Sequence, residues 1–143
     1  MQTRQPSAPL NTVTARTAAL NRHDAGEAAA FFATDADLTD VGTGQRSQGR
    51  DAIREATEGF LALFTDLRIE KTSTLCTDDR YAAEWVMSGI HTGDLPGLPA
   101  TGRSFSVAGA SVGQVRDGLI VHATEYWNMA DFLTQVGLIP TIG

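Results

Sequence analysis

The spacing of apolar positions changes about halfway along the chain. From Thr12 to Asn21, Val13, Arg16, Thr17 and Leu20 fall on one helical face, and Asp24 stands where it would cap a second helix running from Ala25 to Phe32. Ala36 to Val41 alternates as a strand, and Gly42 to Gly49 reads as a turn-rich loop. Asp51 then caps a third helix, with Ile53, Ala56, Phe60, Leu61 and Phe64 on one stripe. Beyond Asp66 the period drops to two. Leu67 and Ile69 begin a strand, and a long run from Arg80 to Thr92 follows the Asp78-Asp79 turn. After the Pro96, Gly97, Pro99 and Gly102 loop comes a strand from Arg103 to Arg116. Asp117-Gly118 is a two-residue hairpin signal leading into Leu119 to Met129. Asp131 opens a short amphipathic tail carrying Phe132, Leu133, Val136, Leu138 and Ile139 and closed by Gly137 and Pro140. Three helices followed by a curved antiparallel sheet predict an α+β domain with the helices packed on one face. Residues 1–10 read as a flexible N-terminal arm and residues 11–143 as a single domain.

Charge narrows the partners. With 11 basic against 17 acidic residues, a formal net charge of −6 and no run of lysine or arginine, the chain lacks the clustered cations that nucleic-acid binding requires. A single cysteine, Cys76, leaves no intramolecular disulfide framework and makes the cytoplasm the expected compartment. No stretch approaches the length of a membrane span or reads as a signal peptide, so no membrane partner is expected.

Strand parity suggests where chemistry could sit. In the last strand Val121, Ala123, Glu125 and Trp127 share one face, so a carboxylate is placed among apolar neighbours. Loss of hydration there would raise its pKa and make Glu125 a proton carrier near neutral pH. The alternative is that Glu125 pairs with an arginine or bonds a helix end. By the same parity Phe105, Val107, Ser111 and Val115 form a second set, and Tyr81, Trp85, Met87 and His91 a third. With Phe32 from the end of the second helix, these outline a pocket of aromatic and thioether surface carrying a few polar groups. Trp85 and Trp127 serve there as wall or core, and His91 as a rim residue or a polar catalytic group. The three histidines are dispersed without HxH or HExxH spacing, so no metal site is expected. GxGxxG after a strand, GxxxxGK[ST] and GxSxG are all missing, which removes nucleotide-binding and nucleophile-elbow readings.

The segments Gly89-Ile90-His91-Thr92-Gly93, Thr101-Gly102-Arg103, Asp117-Gly118-Leu119-Ile120, Glu125-Tyr126-Trp127 and Asp131 through Gln135-Val136-Gly137-Leu138-Ile139-Pro140, in this order, resemble the SnoaL-like polyketide cyclase family. The resemblance covers about residues 12 to 140. It implies a cone-shaped α+β barrel shared with ketosteroid isomerases and nuclear transport factor 2, a homodimer, and an apolar cavity between helices and concave sheet. It also implies ring closure on an aromatic polyketide-like substrate by an intramolecular aldol step, without cofactor or metal. The family's acid/base aspartate lies on or just after the last long strand, which points to Glu125 first and to Asp131 as helix cap or second candidate. Leu38-Thr39-Asp40-Val41-Gly42 looks like the segment holding the general base of ketosteroid isomerases, with Asp40 in that place. Arg16 and Ser111 stand where those enzymes keep their oxyanion-hole groups. His91, Ser111 or Arg16 would then steady an enolate oxygen. Two other readings use the same pocket. One is a non-catalytic binding or dimerisation module. The other is an epoxide hydrolase or hydroxylase type of enzyme, with Asp40, Arg16 and Asp131 activating water.

Overall fold

In a computed structural model, which describes residues 8–140, four helices and six strands follow one another. They are α1 (Ala8–Asn21), α2 (Ala25–Ala30), β1 (Phe32–Asp40), β2 (Gln45–Gln48), α3 (Arg50–Leu61), β3 (Phe64–Cys76), β4 (Arg80–His91), β5 (Ser104–Arg116), β6 (Leu119–Trp127) and α4 (Met129–Gln135). Residues 8–10, expected within the arm, open α1. Pro9 fits a first helical turn, where its missing N–H costs nothing, and its ring is buried. Residues 1–7 of the arm lie outside the described range.

The local signals that used side chains to close a backbone gap are present. Asp24 caps α2 by accepting from the Glu27 N–H at 2.9 Å. Asp117 and Gly118 both have positive φ, 53° and 77°, which matches the right-handed twist of the β5–β6 hairpin. Two caps differ from expectation. Helix α3 starts from Gly49 at φ 89°, with Asp51 in its first turn, and α4 is capped by Asn128, whose side chain accepts from Asp131 N–H at 3.1 Å. In both cases the helix begins earlier than the acidic residue, so the carboxylate lies inside the first turn. Gln45–Gln48, expected within a loop, forms β2, and Phe64, expected on a helix, begins β3.

The sheet order is β2-β1-β6-β5-β4-β3. It is a curved, unclosed sheet: among the described residues β2 and β3 remain edges, so the expected barrel is open. The helices cover the inner face where a closing strand would otherwise lie. The sheet is also not wholly antiparallel, because β1 runs parallel to β6, with Asp40 opposite Glu125. This pairing joins an early strand to a late one, and no local turn signal announces it.

Two apolar clusters fill the inner face. One gathers Phe64, Met87, Phe105, Val107 and Phe132 with Leu20 and Leu61, and the other gathers Val13, Phe32, Ile53, Tyr81, Val115, Ile120 and Ala123. Ile120 is buried where strict alternation places Val121, because the register shifts between Gln114 and Val115. Glycine admits the larger rings. Gly109 lies opposite Trp85 and Gly113 opposite Tyr81, and a Cβ at either would overlap the facing ring.

Candidate active site

The end of the inner face where α1 crosses β5 and β6 holds a chain of polar contacts. Arg16 Nη1 donates to Glu125 Oε1 at 2.8 Å, and the Ser111 hydroxyl donates to Glu125 Oε2. Trp85 Nε1 in turn donates to Ser111 Oγ at 2.8 Å. Arg16 and Glu125 side chains are each 15% exposed, so the pair is largely withdrawn from water. The Arg16 guanidinium also lies 5.0 Å from the centre of the Phe32 ring, whose face favours a cation. Glu125 therefore takes the alternative weighed from the sequence. It is paired with an arginine, and the unpaired carboxyl expected from its apolar neighbours does not occur, because α1 brings Arg16 across from 109 residues away.

Asp40 sits beside this chain. It ends β1 opposite Glu125, and Trp127 Nε1 at 2.8 Å and Thr43 N–H at 3.1 Å both donate to its Oδ1. Burial raises its pKa above the ordinary aspartate value, and the negative charge of Glu125 adds to the rise; these outweigh the hydrogen bonds from Thr43, Trp127 and the Gly42 N–H. The Trp127 indole lies against Gly42, where a Cβ would overlap it. Gly42 and Trp127 also line a shallow, open depression on the outer face of the sheet, with Val41, Glu84, Ala110, Tyr126 and Met129.

The remaining expected residues separate into two groups. Arg16, Phe32, Trp85, Ser111, Glu125, Trp127 and Asp40 are brought together. Met87 and Phe105, expected as pocket wall, lie in the core among Phe64 and Phe132. His91 is fully buried in the same aromatic region, its ring 5.6 Å from Phe132 and its Nδ1 3.1 Å from Thr101 Oγ1. It is thus a core residue away from the carboxylates, the outcome of a strand end folded under α4. Asp131 is exposed and accepts from Gln135 Nε2 at 3.1 Å, so the triad of Asp40, Arg16 and Asp131 does not assemble. Gln135 needs that anchor, since its amide also bonds both backbone groups of Ser106 and fastens α4 to β5.

Sequence reading missed one feature of the site. Tyr81, expected only as part of the pocket lining, lies close enough to the charged pair for both Glu125 and Arg16 to act electrostatically on its hydroxyl. The facing glycines were the available signal, since Gly109 and Gly113 sit two register steps either side of Ser111. Among the described residues no three His, Cys, Asp or Glu side chains gather as metal ligands, and no helix is long and apolar enough to cross a membrane.

Helices folded over one face of a curved, unclosed sheet give the chain a ketosteroid isomerase-like α+β fold. A protein from Catenulispora acidiphila described by that fold superposes with a TM-score of 0.78 at 23% identity, over 90% of this chain and 93% of its own. A family model for SnoaL-like polyketide cyclase matches residues 11–136, and the chain belongs to that family. It is similar to a candidate polyketide cyclase from Xanthomonas campestris pv. campestris at 29% identity, covering 90% of this chain and 96% of that one with a TM-score of 0.77. IdmH, a candidate polyketide cyclase from Streptomyces antibioticus, is 26% identical over 90% of this chain and 98% of its own, with a TM-score of 0.78. No curated protein matches the sequence.

Proposed function

We propose that the protein is a cofactor-independent cyclase or isomerase in which Asp40 moves a proton on a hydrophobic, polyketide-like carbonyl compound. The observation that carries this reading is the contrast between two facing carboxylates: Glu125 is held by Arg16 and Ser111, while Asp40 is half-buried with its proton affinity raised. In this reading ionised Asp40 takes a proton from a carbon flanked by carbonyls, leaving an enolate whose charge rests on oxygen. The enolate carbon attacks a second carbonyl carbon of the same molecule, a C–C bond forms, and the new alkoxide takes the proton from Asp40. Arg16 supplies positive charge towards the enolate oxygen, and Glu125 and Ser111 fix the guanidinium. The apolar walls fold the chain so that the reacting carbons meet.

The outer face of the sheet supports a homodimer, as the family resemblance implies: Val112 and Tyr126 are 39% and 47% exposed there, and sedimentation at micromolar concentration reads the mass. Proton transfer is tested by following deuterium uptake in D2O at the carbon between the carbonyls of an aromatic β-diketone. Wild type accelerates uptake and Asp40→Asn does not. Equal uptake by both would leave the binding-module reading as the better account.

A further inference from the structure

Helix α1 meets the sheet differently from α3. In α3 the buried residues Ile53, Thr57 and Leu61 recur every fourth position and make one continuous stripe. In α1 they gather at the ends, Pro9, Thr12 and Val13 at one and Ala19 and Leu20 at the other, and none of residues 14–18 is buried. Side-chain bonds take the place of packing along that middle stretch. Lys71 Nζ donates to Thr14 Oγ1 at 3.0 Å, and Arg16 donates to Glu125. Towards the ends Thr12 Oγ1 donates to the Gly118 carbonyl at 2.8 Å, and the Asn21 amide bonds both backbone groups of Ile69 at 2.7 and 2.9 Å.

Several groups under this half of the helix are poorly compensated. Lys71, the only lysine of the chain, is half-buried against a neutral hydroxyl, and among the described residues no carboxylate stands within ion-pair distance of it. Burial lowers its pKa accordingly. Arg16 Nε and Tyr81 Oη are buried without a hydrogen-bond partner. Thr12 and Thr17 turn their hydroxyls back on the Ala8 and Val13 carbonyls, a bond that bends and weakens a helix. Water reaching the underside of α1 would relieve the unsatisfied groups and rehydrate the ammonium. At its C-terminal end the helix has a fixed turn. His23 has φ 62°, the left-handed conformation that usually falls to glycine, with its N–H bonded to Leu20 O and the Asp24 N–H to Ala19 O. Its ring Nε2 lies 2.9 Å from the Leu61 carbonyl at the end of α3, so the turn stays fastened whatever the N-terminal half of α1 does.

We propose that α1 is a gate: its N-terminal half swings about the His23 turn, parting Thr12, Thr14 and Arg16 from the sheet, and admits a ligand to the inner face before closing over it. Opening gives up the burial of Pro9, Thr12 and Val13, while Asn21, Ala19 and Leu20 stay at the pivot. The proposal rests on the proton-transfer reading only for what the ligand is.

Backbone hydrogen exchange, followed residue by residue by NMR, tests the gate without ligand or turnover. The amides of residues 14–18 should exchange about a hundredfold faster than those of β4 and β5, through an opening insensitive to low denaturant. Thr12→Val keeps the shape and drops the bond to Gly118; it should quicken the α1 amides about fivefold, the worth of one hydrogen bond, and leave the β4 and β5 rates unchanged. Bridging holds the gate shut. With Thr14→Cys and Lys71→Cys in a Cys76→Ser background, bismaleimidoethane should slow the α1 amides to the rates of the sheet and suppress deuterium uptake by the β-diketone, whereas the same reagent on either single-cysteine variant does neither. Amides of α1 that exchange only together with the sheet, at one rate and with one denaturant dependence, overturn the proposal, and so does full uptake by the bridged protein. A wild type without uptake would overturn the proton-transfer reading alone, with the exchange rates still deciding the gate.

Discussion

The two ends of the inner face solve opposite problems. Around Phe64, Phe105 and Phe132 the rings meet tilted or edge to face at 4.9 to 5.7 Å, and the polar atoms there are few. Around Glu125 the sheet and α1 bury a serine and a phenol and partly bury an arginine and two carboxylates. Among the described residues each end keeps a buried polar atom without a partner, His91 Nε2 at the first and Arg16 Nε and Tyr81 Oη at the second, but it is the second that carries an ion pair. The difference teaches that stability and chemistry are divided along the strands: β4, β5 and β6 contribute to both ends, while β1 contributes Asp40 to the second alone.

The division can be broken most strongly at Asp40. Asp40→Asn keeps the shape and the acceptor for Trp127 and Thr43 but cannot take a proton, so carbon-acid exchange should fall by about 10² to 10⁴ while the melting transition is retained. At the other end Phe132→Ala should cost about 3 to 5 kcal/mol in chemical denaturation and leave the pH dependence of the remaining activity in place. A shifted pH profile in that variant would mean that the two ends are coupled. Glu125→Ala strands Arg16 without its carboxylate. The loss should be about 2 to 3 kcal/mol, at or below the low end for a fully buried pair because both side chains keep some exposure. Gly109→Ala forces the Trp85 ring off its seat and strains the Trp85–Ser111 bond. About 1 to 3 kcal/mol of overpacking is expected, with red-shifted tryptophan emission as its sign.

The smallest effect is one of pH on stability. Because the folded pKa of Asp40 is raised, its contribution is fully present below the unfolded aspartate value and is lost as pH rises through the folded one. The unfolding free energy of wild type should therefore fall relative to Asp40→Asn across that acid window and run parallel to it at higher pH. A constant difference between the two proteins throughout would remove the raised carboxyl from the account.

Much of this was readable from local sequence. Asp24, Asp117-Gly118 and the period-two runs specify their own backbone through short-range bonds, and the helices and long strands lie near where these signals put them. Parity also brought Ser111, Glu125 and Trp127 to one face. What sequence could not supply was partnership across the chain. Arg16 reaches Glu125 over 109 residues, and β1 joins β6 in parallel, which places Asp40 beside Glu125 and decides which of them is paired. His91 and Asp131 had suitable chemistry at suitable parity or spacing. The turn of α4 put one beneath phenyl rings and the other in solvent.

The central claim is that facing carboxylates have different duties, Asp40 carrying the proton and Glu125 holding Arg16. Carbon-13 NMR of the protein labelled at aspartate side-chain carboxyls, with Asp40→Asn to assign the resonance, measures it directly. The account predicts that Asp40 titrates above the ordinary aspartate range. The pH midpoint of carbon-acid exchange should coincide with that titration. An Asp40 resonance that titrates at or below the ordinary value, with exchange unaffected by its loss, would contradict the account.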